Sequence, residues 1–151
     1  MIETTRAPRV TVRREINASA DDLFDAWLDP ASLAVWMCPG DIVRSAAKVD
    51  PKIGGAFEIV MIGPEGSRGH SGVYRVIDHP RRLVFTWISL GTRQTESLVS
   101  VEFRAGHRIT EVVLTHEQLP DDSTVQPHTK GWTRILELLA LELEPGAARS
   151  R

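Results

Sequence analysis

The stretch Gly131-Trp132-Thr133-Arg134-Ile135-Leu136-Glu137-Leu138-Leu139-Ala140-Leu141-Glu142-Leu143 decides the fold. Trp132, Ile135, Leu136, Leu139 and Leu143 recur at offsets of three, four, seven and eleven, which is one face of an α-helix. The helix is expected to start between Ser123 and Pro127 and to stop at Pro145-Gly146. The stretch before it reads almost entirely as strands. One amphipathic helix following a run of strands has to bury its stripe on them, and the concave side of a curved antiparallel sheet is the natural place. A helix held in a sheet in this way leaves a gap between the two, and gaps of that kind hold small molecules.

Working back towards the N-terminus, each strand shows as an alternation of apolar and polar residues. Arg108 to His116 places Val112, Leu114 and His116 on one side, and Ser97 to Phe103 does the same with Val99, Val101 and Phe103. Leu83, Phe85 and Trp87 alternate in the strand before that, and Tyr74 and Val76 share a face between Gly69 and Ile77. Phe57, Ile59 and Met61 alternate after the Gly54-Gly55 turn, and a weaker strand is read from Ile42 to Val49. Gly63-Pro64-Glu65-Gly66, His79-Pro80-Arg81-Arg82 and Ala105-Gly106-His107 supply turns. Such short connections make an antiparallel meander.

Nearer the N-terminus the period is helical. Ser19 with Asp22 resembles a capping box, and Leu23, Phe24 and Trp27 form the stripe behind it. Asp29-Pro30 then caps a second short helix carrying Leu33 and Trp36. Val10 to Ile16 alternates as a first strand. The expected fold is therefore α+β: a curved antiparallel sheet of about six to seven strands around a long C-terminal helix, with two short helices after strand one. A single domain is read over 9–144, with 1–8 and 145–151 as loose termini.

Bulk composition narrows the function classes. The 151 residues are 42% hydrophobic and 25% charged, with a net charge of −2, which gives no reason to expect nucleic acid or an acidic membrane surface as partner. Cys38 is the one cysteine, so no internal disulfide forms. Residues 1–8 lack the apolar core of a signal peptide and no run is long enough to span a membrane, so a soluble cytoplasmic protein is expected. No nucleophile elbow, phosphate loop, dinucleotide fingerprint or paired-cysteine metal motif occurs, and no cofactor or metal is expected.

Several motifs taken in order resemble those of the heat-shock-protein ATPase activator-like branch of the START/SRPBCC superfamily, the helix-grip proteins related to the birch-pollen allergen. They are Ala20-Asp21-Asp22-Leu23-Phe24-Asp25-Ala26-Trp27 with Asp29-Pro30 and Trp36; Gly54-Gly55-Ala56-Phe57 with Met61 and Gly66; and Gly72-Val73-Tyr74 with Pro80 through Trp87. Thr110, Leu114, Thr115 and His116 follow, then His128-Thr129-Lys130-Gly131-Trp132 with Leu136 and Leu139. The resemblance implies the helix-grip fold and a cavity. It leaves the activity open, because the superfamily contains lipid carriers, hormone receptors, cyclase subunits and co-chaperone domains.

The inward phases propose a ligand-binding set. From the sheet come Phe57, Ile59, Met61, Tyr74, Phe85, Trp87, Val99, Val101, Phe103, Leu114 and His116, with Val76 and Val112 on the same phase. Trp36, His128, Trp132, Ile135, Leu136 and Leu139 close the other wall. The plainer alternative is that these side chains simply fill a core. His116 and His128 could meet at one mouth of the cavity and bind a polar group or move a proton, or each could serve a loop carbonyl or a helix end. Tyr74, the only tyrosine, would need a partner for its hydroxyl, and His70 is read near the other end of the same face. Glu58, Arg75, Glu102 and Glu111 fall on the outer phase. Cys38 reads as a small buried side chain, since the helix end before it disfavours a thiolate.

Three functions compete on this reading. The first is a module that binds a small hydrophobic or aromatic molecule between sheet and helix. The second is a cyclase- or hydrolase-type enzyme that uses His or Tyr in the same cavity. The third is a co-chaperone-like interaction domain. A homodimer through an exposed edge strand is a further expectation.

Overall fold

The computed structural model describes residues 7–145. Strand β1 (Val10–Ile16) leads into helices α1 (Ala20–Ala26) and α2 (Pro30–Trp36). Six strands follow: β2 (Arg44–Val49), β3 (Ala56–Gly63), β4 (Gly66–Asp78), β5 (Arg82–Trp87), β6 (Ser97–Ala105) and β7 (Thr110–Glu117). Helix α3 (Val125–Leu143) closes the chain, and short 3-10 turns stand at Leu90–Thr92 and Asp122–Thr124. The seven strands form one sheet in the order β1-β7-β6-β5-β4-β3-β2, antiparallel throughout. This is the α+β helix-grip arrangement the periodicities predict.

Local chemistry sets the element ends. The Ser19 hydroxyl accepts the Asp22 N–H at 3.1 Å and the Asp29 carboxylate accepts the Ala31 N–H at 3.0 Å, so both short helices start on side-chain caps. Pro30 opens α2, and Pro127 lies in the first turn of α3, where a missing N–H removes no helical hydrogen bond. At the far end of α3, the Glu144 carboxylate accepts the Asn17 N–H at 3.0 Å and ties the helix to the β1–α1 connection. Of the termini expected to be loose, 1–6 and 146–151 lie outside the described residues, while the Pro8 carbonyl accepts the Leu119 N–H at 3.2 Å.

The inward phase of the sheet and the stripe of α3 form one core. Trp36, Phe24, Leu23, Leu114, Leu136 and Leu139 have essentially no solvent exposure. The outer phase carries charge pairs, among them Arg104 with Glu111 at 3.6 Å and Arg75 with Glu96 at 3.2 Å.

Val76 departs from the expected face. The β4–β5 register slips between Tyr74 (opposite Phe85) and Val76 (opposite Val84), leaving one extra residue in β4. A one-residue bulge reverses the phase beyond it, so Ile77 packs on the core and Val76 does not. β4 also reaches back to Gly66, three residues earlier than read, because the tight turn at Gly63–Gly66 lets the whole hairpin pair. β2 begins at Arg44, two residues later than Ile42.

Candidate functional site

Trp87 ends β5 with its indole on the concave side of the sheet, and Trp132 meets it from α3 with ring centres 5.1 Å apart. Beyond this pair, at one end of the sheet, lies a pocket of about 590 Å3, within the range of small-molecule sites. Met61 and His70 line it from β3 and β4, with the Gly63–Arg68 hairpin tip above them. Pro39 to Ile42 line it after α2, and Ser89, Leu90 and Gly91 after β5. Helix α3 contributes Pro127, His128, Lys130, Gly131, Trp132, Arg134 and Ile135.

Of the residues proposed from sequence, Met61, Trp87, His128, Trp132 and Ile135 line this pocket. Phe57, Ile59, Tyr74 and Phe85 instead surround, with Trp27, Leu33, Met37 and the inner side of Trp87, a void of about 10 Å3, room for one water at most. Trp36, Val99, Val101, Phe103, Leu114, Leu136 and Leu139 are buried in packed interior and line neither space. Around Phe57, Ile59, Tyr74 and Phe85 the concave face is thus filled, and Met61, Trp87, His128, Trp132 and Ile135 are the proposed residues that meet the pocket at this mouth.

His116 lies behind Trp132, fully buried. The Trp132 indole N–H reaches His116 Nδ1 at 3.0 Å. Indole only donates, so Nδ1 is bare and the proton sits on Nε2. Nε2–H donates to Ser97 Oγ at 2.7 Å, and Ser97 in turn donates to the Trp87 carbonyl at 2.7 Å. Every hydrogen-bonding atom of this chain is therefore used by the protein. Burial, with the nearby His128 adding to it, pushes the His116 pKa down to about 3.

His128 stands edge-on to His116, with ring centres 4.8 Å apart. Its Nδ1 lies 2.7 Å from the Thr124 carbonyl, which can only accept, so Nδ1 carries the proton and Nε2 is a bare acceptor. Burial lowers the His128 pKa, and it lowers that of His70 as well. His70 stacks obliquely on Trp87 at 5.1 Å, with its Nδ1 covered and without a hydrogen-bond partner. Burial, with the Asp50 charge behind it, raises the Tyr74 pKa, so the phenol stays protonated. Cys38 is buried beside the Ser45 hydroxyl and its thiol is likewise raised, chiefly by burial. At the rim Arg68 pairs with Glu65 at 3.6 Å and Arg134 with Glu137 at 3.2 Å. Arg93 pairs with Asp121 and donates to Ser123 at 2.8 Å, which ties the loop after β5 to the approach of α3.

The histidines make the fold acid-sensitive. Between about pH 6.5 and about pH 3 the unfolded chain binds a proton at His116 that the folded chain refuses, so stability is complete above that window and falls as pH drops through it. From pH 7.5 to pH 5, His116 alone is expected to cost about 2 kcal/mol. Lowered values at His70 and His128 act in the same direction. Urea unfolding at the two pH values checks this; His116→Gln should remove the His116 share, about 2 kcal/mol, and an equally steep dependence in the variant would refute the assignment.

Sequence alternation did not single out Ser97, although a serine on the phase of Val99, Val101 and Phe103 was a visible polar interruption. The Pro39–Ile42 and Ser89–Gly91 walls lie in loops, where no periodicity indicates direction.

A curved antiparallel sheet closed by one long C-terminal helix, with a pocket at their shared mouth, defines a helix-grip protein. The chain belongs to the Activator of Hsp90 ATPase homolog 1-like protein family, whose model matches residues 17–144. A protein from Chromobacterium violaceum superposes with a TM-score of 0.81 at 20% identity, over 91% of this chain and 98% of that one. An HSP90 activator from Plasmodium falciparum gives 0.69 at 25% identity, over 85% and 91%. A Rhodobacter sphaeroides protein gives 0.73 at 23%, over 92% and 91%. No curated protein matches the sequence.

Proposed function

We propose that this protein binds a small apolar or aromatic molecule in the pocket between the β3–β4 hairpin and the first half of α3. The observation that carries this reading is the pocket itself: about 590 Å3 of space floored by Trp87, Trp132, Met61 and Ile135, with polar groups at its edges. Burying a ligand against that floor contributes roughly 25 cal/mol per Å2 of apolar surface. Proton-transfer chemistry has fewer groups to draw on, because His116 is neutral and committed at both ring nitrogens and Tyr74 is held protonated, which leaves His128 Nε2. A chaperone-directed role draws on the family, but the exposed large apolar side chains, including Val35, Val43, Ile53, Leu90 and Leu141, are spread over separate elements.

Thermal-shift screening against aromatic and fatty-acid compounds tests the reading. At least one class should raise Tm in proportion to the logarithm of its concentration once sites saturate. Gly131 lines the pocket, and a Cβ there would meet only Pro39, at 3.7 Å. Gly131→Leu should therefore fold and fill part of the pocket, reducing the Tm gain. A wild-type protein that no compound stabilises would sink the proposal.

A further inference from the structure

The polarity of the ligand can be read from the tautomer of His128. Its Nδ1–H is spent on the Thr124 carbonyl, so Nε2 presents a lone pair and no proton. Among the described residues that nitrogen has no partner, and it is not sealed from solvent, whereas His70 Nδ1 is sealed and His116 is used on both sides. Gly91 keeps it reachable: a Cβ at Gly91 would lie 3.3 Å from both Cε1 and Nε2 of His128. Gly91 and His128 both line the pocket. A pocket whose apolar floor is set beside one uncovered, acceptor-only nitrogen selects a molecule that brings a hydrogen-bond donor.

Resting on the binding reading above, we propose that the ligand is a hydroxylated aromatic molecule, oriented by its hydroxyl donating to His128 Nε2. The ring lies against Trp87 and Trp132. An ether or a bare hydrocarbon of the same shape fills the same space but leaves Nε2 without a partner, which a desolvated site penalises. Of the charged groups at the rim, Arg68 is engaged with Glu65 and Arg134 with Glu137, and Asp41 and Lys130 stand there beside them.

Calorimetric titration of the intact protein with 2-naphthol, 2-methoxynaphthalene and naphthalene separates the outcomes. 2-Naphthol is expected to bind roughly five- to tenfold more tightly than the other two, the increment of one net hydrogen bond. His128→Phe, which removes the acceptor and keeps a ring, should erase that preference while naphthalene still binds; Gly91→Ala, whose methyl would crowd Cε1 and Nε2 of His128 at 3.3 Å and Ser89 Oγ at 3.4 Å, should reduce it. In the wild type, imidazole 15N resonances should report His128 as the Nδ1–H tautomer and His116 as Nε2–H, with the His128 Nε2 signal moving on 2-naphthol addition alone. Equal affinity for all three compounds, or an Nε2–H tautomer at His128, overturns this inference and leaves the pocket reading standing. Failure of all three to bind overturns this inference as well, while the pocket reading stands or falls on the thermal-shift screen.

Discussion

Trp132→Ala is expected to destabilise the protein by about 3–5 kcal/mol, a large share of the total stability of a domain this size. Two losses combine. Trp132 is 2% exposed and packs on Trp87 at 5.1 Å, His116 at 5.9 Å and Trp27 at 6.4 Å, so truncation opens a cavity between helix and sheet. It also strips His116 Nδ1 of its donor, leaving a buried acceptor with nothing to replace the indole N–H. Trp132→Phe separates the terms: much of the ring packing survives, the donor is lost, and about 1–3 kcal/mol is expected. Urea unfolding of both variants checks the pair. A Trp132→Ala cost below about 1 kcal/mol would mean that the helix does not hold the sheet through this residue.

Gly72→Ala should cost about 3 kcal/mol by a different route. A Cβ on residue 72 would sit 1.9 Å from the Thr86 carbonyl oxygen and 2.6 Å from two atoms of the Phe57 ring. The carbonyl belongs to β5, inside the sheet, and cannot retreat without disturbing the ladder with β6. Backbone conformation is not the reason, since residue 72 is not among the glycines of positive φ. Gly69→Ala, in the same strand with nothing within 4 Å of the added methyl, is the control and should lie within about 0.5 kcal/mol of the wild type. An equal loss of stability in both variants would count against the close approach at Gly72, since Gly→Ala by itself restricts the unfolded chain and favours the folded one.

These two sites mark how far the chain could be read without coordinates. The stripe from Trp132 to Leu143 and the alternations through Phe57, Trp87, Val101 and Leu114 carried the fold, because burial on one face imposes a period that survives in sequence. The bulge after Tyr74 was invisible, since one inserted residue leaves a plausible alternation on either side of it. The site was legible only in part. Alternation tells which side chains point inward, so it named Met61, Trp87, Trp132 and Ile135 together with Val99, Val101 and Leu136, which point inward just as truly but meet other side chains instead of open space. Whether an inward residue lines a pocket depends on what the opposite element and the loops deliver, here Pro39–Ile42 and Ser89–Gly91. His116 and His128 were correctly paired in space, but their protons are assigned by Trp132, Ser97 and the Thr124 carbonyl, partners that no spacing identifies.

The four indoles form a chain: Trp36 lies 4.8 Å from Trp27, Trp27 lies 6.4 Å from Trp132, and Trp132 lies 5.1 Å from Trp87. At such separations light absorbed by any one of them is shared among all. Two members of the chain floor the pocket, so a guest bound there would perturb emission gathered from the whole relay. Intrinsic fluorescence would then serve as an optical gauge of occupancy, readable without a label.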